Sequence, residues 1–241
     1  MIRVVLASAS PARRVVLEQA GLHPEVIVSD VDESLAGVAD PAALAAVLAE
    51  RKAEAVFARL GGNRGQGRDR GVGFPSQGVS AGGAAAGTLV VIGCDSVLAF
   101  EGHTLGKPGS PEAAIALWRR IRGKTAQLVT GHHVIVADAD GVRRSNRSAK
   151  TVVHFADLLD DEIAAYVATG EPERVAGGFT IDGLGGPFVT GLEGDPHNVV
   201  GLSLPLLRHM LADFGVRWTA LWPAGLLRSD RQPPLRLADD E

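Results

Sequence analysis

The sequence predicts an α/β fold, an elongated mixed β-sheet flanked by helices, and three observations carry that prediction. An apolar strand pattern, Ile2–Ala7, runs directly into a helix pattern, as expected where strands and helices alternate. Leu89–Gly93 is a continuous apolar run, the mark of a central strand buried on both faces. Ala126–Ala137 and Arg143–Phe155 flank Asp140-Gly141, which reads as a long antiparallel hairpin.

Each element has a local reason. The first helix, about Pro11 to Ala20, starts at Ser10, a good N-cap, with proline at the first helical position, and stops at Gly21. Glu25–Ser29 is a second strand, leaving through the acidic exit Asp30-Val31-Asp32-Glu33. Asp40-Pro41 opens a long amphipathic helix to about Leu60, carrying Arg51 and Lys52. Gly61–Gly87 is dense in Gly, Ser, Arg and Gln and reads as a flexible surface insertion. After Leu89–Gly93, a hairpin of Val97–Phe100 and Thr104–Leu105 turns at Glu101-Gly102. Ser110-Pro111 caps a helix to about Ile121, and Asp160–Ala168 forms a short one. Glu171–Val200 is glycine-rich loop and strand, and Leu204–Phe214 is the last clear helix, behind a Ser203 cap. Residues 1–222 therefore read as one domain, with 223–241 a disordered tail.

Composition narrows the function classes. Apolar residues make up 46%, so the chain can bury a sizeable core. A net charge of −4 argues against a nucleic-acid partner. The single cysteine, Cys94, allows no internal disulfide and suits a reducing cytoplasm. No apolar run approaches the roughly 20 residues of a membrane span, and the opening one is too short for a signal peptide.

The candidate chemistry is that of phosphate. Ser8, Ser10 and Arg13 surround a helix start, where backbone N–H groups and a guanidinium favour an anion; the same residues can serve capping alone. Asp95 follows the apolar run Leu89–Gly93, and the C-terminal end of a central strand is a favoured catalytic position in α/β folds. Lys107 lies across the hairpin from it. Asp32 and Glu33 at their strand exit, with Asp95, supply the hard oxygen donors that Mg²⁺ takes. Lys52 offers a point charge to a phosphate, or lies on a solvated helix surface. His132 and His133 are neighbours on a strand and must face opposite sides, so they cannot chelate one metal together. His197 sits in a loop with no assigned role. No P-loop, nucleophile elbow or HExxH occurs.

Taken together, Leu6-Ala7-Ser8-Ala9-Ser10-Pro11 with Arg13, Val31-Asp32-Glu33, Lys52, Gly93-Cys94-Asp95-Ser96 and Leu105-Gly106-Lys107-Pro108 resemble the Maf family of nucleotide pyrophosphatases. Gly170-Glu171-Pro172, Ala176-Gly177, Gly183-Leu184-Gly185 and Asn198–Pro205 continue the resemblance in order, over most of residues 2 to 214. It implies two lobes around a central cleft, often in a homodimer. It also implies hydrolysis of nucleoside triphosphates to monophosphate and pyrophosphate with Mg²⁺ or Mn²⁺. The family's general base corresponds to Asp95, and its phosphate and metal groups correspond to Ser8, Ser10, Arg13, Glu33, Lys52 and Lys107. Members are linked to removal of abnormal nucleotides and to arrest of cell division. Those preferring dTTP and UTP carry Arg, Thr and Gln where this chain has Ala12, Ser96 and Asp182; those preferring 7-methyl-GTP tend to carry Trp, Gln and Glu. This chain matches neither set, and Asp182, able to accept from a base's N–H donors, is the candidate base reader. Two rivals stand beside this reading: a Ham1-type inosine triphosphate pyrophosphatase, and a nucleotide-binding regulator of septum formation without turnover.

Overall fold

The computed structural model describes residues 2–33, 40–62 and 87–226. Most of the insertion and the tail lie outside them, although 224–226 form a short 3₁₀ turn that packs with Trp222 against Gly21. Helices flank one seven-stranded mixed sheet. Strands β1 (Ile2–Leu6), β2 (Glu25–Val26), β3 (Thr88–Phe100), β5 (Thr125–Asp138), β6 (Gly141–Phe155) and β7 (Val189–Glu193) lie in the order β2-β1-β3-β5-β6-β7, and β4 (His103–Leu105) also pairs with β3. β1 runs parallel to β2 and β3; the remaining pairs are antiparallel.

Helix starts match the caps. Ser10, Asp40 and Ser110 accept from the third helical N–H of α1 (Pro11–Gln19), α2 (Pro41–Arg59) and α3 (Pro111–Ile121), each with proline in its first turn. Two short helices follow, α4 (Asp160–Ala168) and α5 (Pro196–Val200), then α6 (Leu204–Asp213). Glu171–Val200 holds the expected loop and strand, β7, and adds three 3₁₀ turns and α5. β2 is only two residues long, where Glu25–Ser29 was expected.

The larger correction concerns β3. The hairpin arm Val97–Phe100 is not a separate strand; β3 is continuous through Asp95 for 13 residues. Asp95 therefore sits mid-strand, opposite Gly131 of β5, and not at a strand end. Its accessibility comes from the other edge. β1 pairs with β3 as far as Ile92 and β4 pairs with it only from Leu98 onward, so between them no described strand covers β3.

The pleat sorts the core. Val90, Ile92 and Cys94 join residues of α1 and α6 on one face, while Leu89 and Val91 join Ala53, Val56 and Phe57 of α2 on the other. A further core gathers Leu98, Phe100, Leu128 and Phe155 with Trp118 of α3 and Tyr166 of α4. All three cores are threaded on the same long strands, β3 and β5.

Candidate active site

A cleft of about 360 Å³ opens at the uncovered stretch of β3; Ser8, Ser10, Ala12, Arg13, Glu33, Lys52, Asp95, Ser96, Lys107 and Asp182 all line it, whereas Asp32, the other carboxylate of the strand exit, does not. On one side are Ser8, Ser10, Ala12 and Arg13 from the β1–α1 turn. Glu33, Lys52, Asp95 and Ser96 lie beneath, with Lys107 and Asp182 on the far side.

The charged half of the site depends on how closely α2 lies on the sheet. A Cβ on Gly93 would fall 2.3 Å from the Ala49 carbonyl, and one on Gly131 would fall 2.2 Å from that of Ala45. Only glycine admits the helix at this distance. Lys52 belongs to the buried stripe of α2, and the surface-lysine alternative falls: the residue is 6% exposed. Its Nζ reaches Oδ1 of Asp95 at 2.5 Å and Oε1 of Glu33 at 2.6 Å. Lys107 Nζ is 3.9 Å from the other Glu33 oxygen. Burial works to raise the Glu33 carboxyl, but the Lys52 hydrogen bond and charge, with Lys107 and Arg13 beyond, hold it below its ordinary value.

The opposite face of the same strands is neutral apart from one guanidinium. Arg13 is buried, donating from Nε to the Gly201 carbonyl (2.8 Å), from Nη1 to Ser8 (3.2 Å) and from Nη2 to Ser96 (3.0 Å). Ser96 also shares a hydrogen bond with Thr130, which donates to the Asn198 carbonyl at 3.0 Å. Below them His132 is fixed in one tautomer. Its Nδ1–H donates to the Thr130 carbonyl, and its Nε2 accepts the Ser203 N–H at 2.8 Å. Burial drives its pKa down to about 4, so the ring is neutral. His133 faces α2 with Nε2 3.6 Å from Glu54, so the two histidines do take opposite sides. His197 of α5 pairs with its neighbour Asp195 at 3.1 Å and does not line the cleft.

The Asp182 loop has its own anchor. Glu171 accepts from Tyr166 (2.8 Å), Thr180 (2.6 Å) and the N–H groups of Leu184 and Gly185 (both 3.1 Å). Burial would raise its carboxyl, yet these four donors hold it low. Arg174 and Thr180 also line the cleft. Sequence reasoning passed over them because neither belongs to a periodic element; their one signal was position beside the Gly170-Glu171-Pro172 motif.

Two carboxylates can accept a divalent cation here. Lys52 engages one oxygen of each, and among the described residues no third His, Cys, Asp or Glu joins them. That donor set fits Mg²⁺ or Mn²⁺, since Mg²⁺ takes one or two carboxylates and completes its shell with water and substrate phosphates.

The Maf-like protein family model matches residues 3–214. A nucleoside triphosphate pyrophosphatase of Salinispora tropica is 50% identical over 224 residues, 93% of this chain and 89% of its own. One from Streptomyces coelicolor is 49% identical over 91% of this chain and 94% of its own. One from Mycobacterium ulcerans is 43% identical over 94% of this chain and its entire length.

Proposed function

The chain belongs to the Maf-like family, and from that premise we propose that its cleft hydrolyses nucleoside triphosphates to the monophosphate and pyrophosphate. The observation that carries this reading is the Glu33–Lys52–Asp95 arrangement, open to a cleft whose other side is the Ser8–Arg13 helix start. Lys52 holds Oδ1 of Asp95 and so orients the carboxylate. Asp95 takes the proton of a water that attacks the α-phosphorus. The bond from that phosphorus to the bridging oxygen breaks, and pyrophosphate departs. Arg13, Lys107 and the N–H groups at the α1 start stabilise charge growing on the phosphate oxygens. Glu33 and Asp95 would hold the divalent cation, which supplies Lewis-acid neutralisation of the triphosphate.

Ala12, Ser96 and Asp182 line the same cleft, and Asp182 would accept from the N–H donors of the base. Ser96 is committed to Arg13 and Thr130, so its part in base choice is indirect. We read the enzyme as a cytoplasmic homodimer that cleans nucleotide pools and takes part in division arrest.

A pyrophosphate-release assay over ordinary and modified triphosphates, with and without Mg²⁺ or Mn²⁺, tests the proposal. Turnover that stops on metal removal and is lost in Asp95→Asn, by about 10²-fold or more, is the expected result. Near-normal hydrolysis by Asp95→Asn would overturn Asp95 as the base. Nucleotide binding without any turnover would favour the regulator, and confinement to inosine and xanthosine triphosphates the Ham1-type reading.

A further inference from the structure

The cleft contains one cation that the mechanism above does not use. Arg174 lines the cleft and is exposed, and among the described residues its side chain has neither an ion-pair nor a hydrogen-bond partner. The other cations are engaged. Lys52 bridges two carboxylates, three of the N–H groups of Arg13 are spent within the protein, and Lys107 leans toward Glu33.

The Arg174 loop is fastened beside Lys107. The Gly109 N–H donates to the Glu173 carbonyl at 3.0 Å, and the Gly177 N–H donates to the Gly106 carbonyl at 3.0 Å. Gly106 and Gly109 bracket Lys107, while Glu173 and Gly177 bracket Arg174. Trp118 fixes the same lip by donating to the Gly178 carbonyl at 2.8 Å. Both cations are thus presented from one two-loop lip, facing the Ser8–Arg13 turn across the cleft.

Charge balance gives this lip a purpose. The cleft lining holds Arg13, Lys52, Lys107 and Arg174 against Glu33, Asp95 and Asp182. Without Arg174 those charges cancel, which suits no polyanion. A guanidinium fork matches the paired oxygens of a phosphate better than an ammonium can.

We infer that Arg174 is a phosphate ligand that, with Lys107, clasps the pyrophosphate portion of the substrate and holds it as the leaving group. The inference rests on the pyrophosphatase reading for the identity of the ligand, but its test needs no turnover. Calorimetric titration of the full chain with inorganic pyrophosphate in Mg²⁺, and separately with UMP and GMP, reads the two halves of the product site. In Arg174→Ala, pyrophosphate affinity should fall about tenfold or more while monophosphate affinity holds. Arg174→Lys should lie between, because charge remains but the fork is lost. Unchanged pyrophosphate affinity in a variant that melts like the parent overturns the inference, as does an equal loss for the monophosphates. If the parent hydrolyses triphosphates yet binds no pyrophosphate, the clasp fails and the enzyme reading survives. If it binds pyrophosphate through Arg174 but hydrolyses no triphosphate, the clasp stands and the enzyme reading fails.

Discussion

At the cleft the two faces of β3 and β5 are built on different physics. On the α2 face, close contact through Gly93 and Gly131 buries a lysine against Asp95 with Glu33 alongside. On the α1 face, one residue along the strand, Ser96, Thr130, His132 and the backbone of Asn198, Gly201 and Ser203 hold a single guanidinium by neutral hydrogen bonds. In the proposed mechanism the first arrangement concentrates charge where a proton would move, and the second fixes a cation where charge would be received. Strand alternation puts both within reach of one ligand without letting Asp95 and Arg13 neutralise each other.

The comparison predicts unequal responses. Removing charge from the α2 face should do most damage: Lys52→Met strands Asp95 in a buried site. We expect a stability loss of about 4 kcal/mol by urea denaturation and turnover down about 10²-fold or more. A variant as stable as the parent would show that the carboxylates relax to solvent. Next, Gly131→Ala leaves every charge in place but pushes α2 outward. A loss of about 3 kcal/mol is expected, with turnover falling through displacement of Lys52; unchanged kcat would mean the close contact is packing alone.

The neutral face should answer to pH. Burial depresses the His132 pKa in the folded chain from its ordinary 6.5 to about 4. The unfolded chain therefore binds the extra proton as pH drops below 6.5, and stability falls until the native ring also protonates near 4. Between pH 7 and pH 5 this amounts to about 2 kcal/mol. His132→Gln should lose that much less over the same interval in paired thermal or urea melts, and identical slopes would remove His132 as the titrating group. The smallest effect belongs to Ser96→Ala, about 1 kcal/mol for its lost hydrogen bonds. By loosening Arg13 it should lower kcat/KM modestly, with kcat sharing in the loss; an unchanged kcat/KM would show that Ser96 does not position the guanidinium.

The same contrast explains what the sequence made legible. Helix starts at Ser10, Asp40 and Ser110 are local events, and their residues announce them. The cleft residues were found through ordered motifs, and the structure gathers them at one place. What failed was the reading of Gly93 as a strand end. A glycine inside a strand can mean that another backbone comes close, and here that backbone is α2. The partner is some 40 residues away in sequence, so no local pattern reveals it. Lys52 was ambiguous for the same reason. Its place in the stripe with Ala45, Leu48, Ala49, Ala53 and Val56 was visible, but the compensating carboxylates come from two other elements. The short turns of residues 171–200 follow tertiary anchors such as Glu171, which hydropathy periodicity does not report.

The long strands also set how this molecule can move. β3, β5 and β6 run 13, 14 and 15 residues, a ribbon roughly 45 Å long that joins the hydrophobic cores at its two ends. Bending one core toward the other would shear the ladders of three adjacent strands at once. The cleft thus behaves as a fixed gauge rather than a jaw, and substrate adjustment falls to the side chains and short loops along its rim.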